Sequence, residues 1–362
     1  MLWIPDKKTL KALARTKRRR RRRKIARVLL FVLLIFLLSA AAAPPKFDLM
    51  VQVNTLTTGI QFDFVDWISQ AVAGEIGRRI DPPVIPATNE DQQVLIQTYL
   101  EQEEQIRVLE DEIEQIYATD GGNPNADIQE QKLARLKTAQ AAILPQVETI
   151  LSRQIEAVLR DEGFNIAGQV FPPVAFRLVE PPTTLIISPR DRIERQHMIG
   201  LAPGLEIALR SQIEDSLNQR GDVSNYVTNI GGLGSYPTMV VNHPWLPWLV
   251  DTVAHEWTHN YLYTFPSNIA WGYGNYPRLT TINETTASLV GEELSRKVIT
   301  RFYPNWIKKL PPLDANGQPT PNKPSEFELA MRNTRRHVDA LLAEGKIDEA
   351  EKYMEAERVK LA

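Results

Sequence analysis

The chain has 362 residues, 43% of them hydrophobic and 24% charged, with no cysteine. This length and apolar content suffice to bury a core in about two structural units and exclude a disordered chain, while the lack of cysteine excludes disulfides and a thiolate metal site. The formal net charge of −2 hides an asymmetry: residues 1–27 hold thirteen of the 42 bases and one of the 44 acids, leaving 29 bases against 43 acids in the rest.

The N-terminus reads as a basic cytoplasmic segment over 1–24 followed by a transmembrane signal-anchor over 25–45. After the run Arg18 to Lys24, the stretch from Val28 to Ala43 carries no charge and is almost wholly apolar. Flanking residues extend it to a plausible membrane span. The preference of Lys and Arg for the cytoplasmic side then predicts a single-pass membrane protein with its catalytic domain extracytoplasmic. A cleaved signal peptide is the alternative, because Ser39 to Ala43 supplies small residues. Beside an apolar segment, the polybasic run is expected to meet membrane lipid, through residues 18–43, and no nucleic acid.

Residues 46–88 read as the start of an ectodomain, with an alternating stretch from Met50 to Leu56 and a helix from Phe64 to Ile80 that stops at Asp81-Pro82-Pro83. Residues 89–160 predict a helical hairpin. Leu95, Tyr99, Ile106, Leu109, Ile113 and Ile116 fall on three-and-four spacing in its first arm. A turn at Asp120 to Asn125 leads to a return arm from Ala126 to about Arg160, where Pro145 is expected to kink or divide the helix. Such a hairpin packs on itself or the body, or else serves as a partner-binding surface.

Residues 163–305 form the expected core domain. Val174 to Val179 and Thr183 to Ser188 predict short strands, Gly204 to Arg220 a helix, and Met239 to Val241 a further strand after a glycine-rich segment that begins at Asn229. An apolar helix is predicted over Leu246 to Thr264, and another over Ile282 to Ile299. Residues 306–362 read as a proline-rich linker and a C-terminal helical pair divided near Gly345. Arg332, Arg335 and Arg336 cluster on the first of that pair, as a carboxylate site or a solvated face.

The chemistry concentrates in His255-Glu256-Trp257-Thr258-His259. Residues four apart on a helix share a face, so His255 and His259 can present ring nitrogens to one metal ion with Glu256 beside it. Histidines hydrogen-bonded inside a core are the bland alternative. A catalytic zinc takes three protein ligands and one open position, and Glu284 is the downstream candidate for the third. The competing role for Glu284 is a capping box with Thr281 at a helix start. Among the remaining histidines, His197, His243 and His337, none has a helical spacing that pairs with the motif.

Together HEWTH at 255–259 and NETTAS at 283–288 resemble the gluzincin metallopeptidases, the zincin group that includes thermolysin and the membrane-alanyl type of aminopeptidase. The resemblance covers residues 229–300. It implies Zn2+ held by His255, His259 and Glu284, with Glu256 as general base and proton carrier, and a sheet edge near Gly231 to Val241 that aligns substrate. The chain departs from the thermolysin pattern at Ser288, where that pattern has Asp, and in the longer gap between the two halves. Asp251 is a candidate to orient His255 in its place. The metzincin pattern is excluded, because it needs Gly and His where Leu262 and Phe265 stand.

Tyr273 and Tyr276, in the aromatic loop 271–277, are candidate catalytic donors to an oxyanion, with His337 as an outside choice. The expected fold is therefore α+β, a zincin-like metallopeptidase domain with a helical hairpin insertion and one N-terminal transmembrane helix. The expected function is hydrolysis of a peptide or protein substrate. The aminopeptidase form is slightly favoured, because the glycine-rich segment is similar to that of the exopeptidase branch. The alternative is a non-catalytic membrane-anchored adaptor that binds a protein partner through its hairpin.

Overall fold

The computed structural model describes Leu30 and residues 48–120, 124–265, 276–314, 320 and 323–361. The chain divides into two compact units, Met1–Thr58 and Gly59–Ala362. In the first, Leu49–Leu56 is a helix, α1, where the alternation suggested an extended strand. The carboxylate of Asp48 accepts hydrogen bonds from the N–H groups of Met50 and Val51 at 2.9 and 3.2 Å. That cap satisfies two donors of the first turn, and Leu49, Val53 and Leu56 fall at i, i+4 and i+7 on one helical face, whereas alternation holds only for Leu49, Val51 and Val53.

In the second unit, α2 spans Phe64–Ile80 and the hairpin arms are α3, Asn89–Asp120, and α4, Pro124–Asp161. Pro145 neither ends nor divides α4. An interior proline costs about 3 kcal/mol. Burial of Val147, Ile150, Leu151, Ile155 and Leu159 just beyond it offsets that cost.

Three small sheets follow. Asn165–Ile166 (β1) pairs antiparallel with Gln169–Val170 (β2). Thr183–Pro189 (β4) lies between His197–Leu201 (β5) and Val223–Thr228 (β6), antiparallel to both. Phe176–Leu178 (β3) runs parallel to Thr238–Val240 (β8), whose other edge carries Gly232–Leu233 (β7) antiparallel. Helix α5, Ile207–Asn218, precedes β6.

The last four helices are α6, Leu246–Thr264; α7, Pro277–Phe302; and a C-terminal pair, α8, Glu326–Ala343, and α9, Ile347–Leu361. Gly345, at φ +75°, makes the turn between α8 and α9.

One core positions the site. Leu246, Leu249, Val250, Val253 and Trp257 repeat at three-and-four spacing along α6 and are all buried. They share a hydrophobic cluster with Ile96, Tyr99 and Leu100 of α3, Ile150, Leu151 and Ile155 of α4, and Leu294, Val298 and Ile299 of α7. The base of the hairpin is thus part of the same core as the histidine-bearing helix. The Trp257 indole N–H donates to the carbonyl of Pro172 at 2.7 Å.

The expected fold class is corrected on two counts. The described chain is predominantly helical with three small sheets, rather than an α+β domain organised on one sheet, because the two hairpin arms and α6 and α7 supply most of the buried apolar surface. Among the described residues no helix is long and apolar enough to cross a membrane. The segment 25–45 lies outside the described residues except for Leu30, so the single-pass topology and its extracytoplasmic catalytic domain are withdrawn with the span they rested on.

Candidate metal centre

With the apolar stripe of α6 turned into the core, the opposite flank carries Trp248, Asp251, Thr252, His255, Glu256 and His259 into an open cleft of about 360 Å³. Helix α7 packs against α6 in antiparallel fashion, as three contacts show. Ser295 donates its hydroxyl to the carbonyl of Pro247 at 2.8 Å; Gly291 lies against Asp251 and His255; Asn283 meets His259. Every step up α6 is matched by an equal step back along α7. A Cβ at Gly291 would stand 2.5 Å from Oδ1 of Asp251 and 2.9 Å from its carbonyl oxygen, so only glycine allows this approach.

Glu284 is seven residues, about two turns, before Gly291 and so shares its face. Its Oε2 lies 3.4 Å from Nε2 of His255 and 3.6 Å from Nε2 of His259, and the two Nε2 atoms are 3.1 Å apart. These separations decide whether the donors suit a metal. Ligand atoms about 2.05 Å from a tetrahedral zinc stand about 3.3 Å from one another, so the separations of these three donors are those that such an ion would need. The capping role of Glu284 is excluded, because α7 starts at Pro277 and Glu284 is two turns inside it.

Asn283 supplies what the triad needs behind it. Its Oδ1 is 2.5 Å from Nδ1 of His259. An amide oxygen accepts only, so Nδ1 carries the proton and Nε2 keeps the lone pair that a metal requires. Burial holds the His259 pKa below its ordinary value, which keeps the ring neutral. The hydrogen bond to Glu284 raises that of His255, against its burial. Asp251 raises the His255 pKa through its charge. It makes no hydrogen bond to that ring: its buried Oδ1 has no partner among the described residues.

Glu256 is 8% exposed, and burial pushes its carboxyl up to about 7. The glycine segment lies directly over it. A Cβ at Gly232 would be 2.6 Å from Oε1 of Glu256, and one at Gly234 would be 3.3 Å from Oε2. Glycine at both positions lets the backbone of β7 and the turn after it close on the carboxylate. A carboxyl that titrates near neutrality, beside the donor triangle, can take up and return a proton.

The structure brings His255, Glu256, His259 and Glu284 together. It does not bring in Tyr276, which is exposed at the residue before α7, eight residues or about 12 Å along the axis from Glu284, and does not line the cleft. Tyr273 lies outside the described residues. His337 packs against Tyr353 within the C-terminal helical pair, ring centroids 4.2 Å apart and planes tilted by 51°. Arg335 of the arginine cluster pairs with Asp339 at 2.8 Å, on a solvated helix face.

Sequence reasoning missed Arg195, Met198, Trp248 and Thr252, which also line the cleft, whereas Ile230 and Leu233 belong to the glycine-rich segment it had singled out. For Asn283 a signal was present, since a ligating imidazole needs an acceptor for its second nitrogen and Asn283 adjoins the third candidate ligand. No protein-family model, curated protein or solved structure matches the chain.

Proposed function

We propose that this chain is a zinc-dependent peptidase of gluzincin type, with His255, His259 and Glu284 as metal ligands and Glu256 as the proton carrier. The observation that carries the reading is the donor triangle of 3.1, 3.4 and 3.6 Å at the floor of an open cleft, with a buried carboxyl beside it. A zinc ion held there supplies Lewis acidity toward a carbonyl oxygen and lowers the pKa of a bound water.

The chain's own residues do the rest. Glu256 takes a proton from the attacking water and passes it to the departing amine. Asn283 keeps His259 in the tautomer that leaves Nε2 free. Strand β7 is an edge strand of its sheet, and its residues Gly232 and Leu233 line the cleft, so its backbone groups are available to an extended peptide. An adaptor role for the hairpin draws less support, because the base of the hairpin is buried in the common core.

The test compares metal content and hydrolysis of a peptide library by wild type, His259→Ala, Glu284→Ala and Glu256→Gln. One zinc per chain, lost with His259→Ala, weakened with Glu284→Ala and retained without turnover in Glu256→Gln, is the expected result. A wild-type protein that takes up no metal when zinc is supplied refutes the reading.

A further inference from the structure

A second cavity, of about 520 Å³, is lined by the last turn of α2, by α4 and by the segment from β2 to β3, and it shares no lining residue with the metal cleft. Four arginines, Arg78, Arg79, Arg153 and Arg177, line it against three glutamates, Glu75, Glu148 and Glu156. Beyond residue 27 the chain carries 29 bases against 43 acids, so this local excess of positive charge runs against the composition.

The carboxylates here are already satisfied. Glu148, 2% exposed, accepts from Arg78 and from the N–H of Leu178 at 2.8 Å, with Nη1 of Arg177 3.8 Å away. Glu75 pairs with Arg79 at 3.2 Å and with Arg177 at 2.9 Å, and Glu156 accepts from the N–H of Val174 at 3.0 Å. The donors are not used up. Among the described residues Arg153 makes no hydrogen bond or ion pair, the side chains of Ser152 and Gln169 make none, and Arg78 makes only its bond to Glu148. A guanidinium presents five N–H donors in a planar fork, and most of those of Arg78 and all of those of Arg153 remain open.

Two forks, a hydroxyl and an amide call for a ligand with several acceptor oxygens and negative charge. A phosphate monoester, with three terminal oxygens and a charge of about −2 at neutral pH, can meet both forks, where a carboxylate meets one. Phe171, 44% exposed, and Pro82, Pro83 and Pro173 offer apolar surface to the rest of the molecule. The volume lies in the range of small-molecule sites, about 300–1,000 Å³. We propose that this cavity binds a small phosphorylated molecule, its phosphate held by Arg153 and Arg78 with Ser152 and Gln169. The site is independent of the peptidase reading.

The experiment is calorimetric titration of the full chain, at constant ionic strength, with inorganic phosphate, glycerol phosphate, adenosine monophosphate and acetate. Wild type is compared with Arg153→Gln, Arg153→Lys and His259→Ala. Arg153 is exposed and bonds no other residue, so its replacement leaves the fold intact, whereas loss of Arg78 would strand the buried carboxylate of Glu148. Wild type should bind at least one phosphate compound saturably and at least about tenfold more tightly than acetate. Arg153→Gln should weaken that binding about tenfold or more, as charge-assisted hydrogen bonds supply, and Arg153→Lys should keep part of it.

Two results overturn the proposal directly: no saturable binding of any phosphate compound by wild type, or equal affinity in wild type and Arg153→Gln. His259→Ala should bind as wild type does, and binding lost in that variant belongs to the metal centre and refutes the second site. Acetate bound as tightly as phosphate refutes the assignment of the ligand class.

Discussion

Asn283 and His259 face each other across α7 and α6 with Oδ1 and Nδ1 2.5 Å apart, while Glu284, the next residue, reaches Nε2 of the same ring at 3.6 Å. Two consecutive residues of one helix thus grip both nitrogens of one imidazole. One sets its tautomer and the other stands beside the nitrogen left free for a metal. The NE pair of the sequence is a single device, and its asparagine is as specific as its glutamate.

Asn283→Ala should lower zinc affinity about 10–100-fold, the usual cost of losing a partner behind a ligating histidine. Chelator competition measures it. Asn283→Asp keeps an acceptor and should lose far less. An alanine variant that holds zinc as tightly as wild type would show that packing alone orients His259.

Gly232→Ala places a methyl group 2.6 Å from Oε1 of Glu256, so the strand or the carboxylate must move. A displacement near 1 Å of a reacting group costs about 100-fold in rate. We expect turnover to fall by that order while the metal content stays at wild-type level, since Gly232 touches no ligand. Steady-state kinetics beside zinc stoichiometry separate the two, and an unchanged kcat refutes the close approach.

For the metal-free protein, the raised pKa of Glu256 sets a sign. Its native value, about 7, exceeds its ordinary 4.5, so the folded state holds the proton more tightly than the unfolded one. This group's contribution to stability is therefore greatest at or below pH 4.5, declines as pH rises toward 7, and is constant above. Glu256→Gln removes the decline. In chelator, the Tm of the variant relative to wild type should rise by several degrees between pH 4.5 and 7.5. A constant difference across that range would mean that burial does not perturb Glu256.

The hairpin yields a contrast. Ile150, fully buried in α4, should cost about 2–5 kcal/mol when changed to alanine. Ile128, 65% exposed on the same arm nearer the turn, should stay within about 0.5 kcal/mol. Urea unfolding monitored at several wavelengths measures both. Ile150→Ala should shift one cooperative transition that also releases zinc; a separate hairpin transition that leaves zinc bound would show the hairpin to be an appendage.

Periodicity carried much of this architecture. The first hairpin arm and α6 follow from their apolar patterns, the return arm and α2 from the turn and proline signals that bound them, and HExxH needs only the helical repeat to bring His255 and His259 together. Glu284 was ambiguous because its meaning turned on where α7 begins; Pro277, a favoured first residue of a helix, marked the earlier start. Alternation misread α1 because eight residues with a good cap suit either period. The segment 25–45 was legible only as composition, and the described helices offer no span. Arg195 was out of reach: nothing local ties it to a histidine sixty residues away, and only the fold makes them neighbours.

The close contact at Gly291 also makes the centre portable. All three candidate ligands and the asparagine behind them are carried by two helices in contact through Ser295 on Pro247 and Gly291 on Asp251. Neither contact involves the chain between Thr264 and Pro277. The long interval between the two halves of the motif is then no defect. A helical pair transplanted with this register should bring the same four side chains together in another scaffold, which metal binding by such a graft would test.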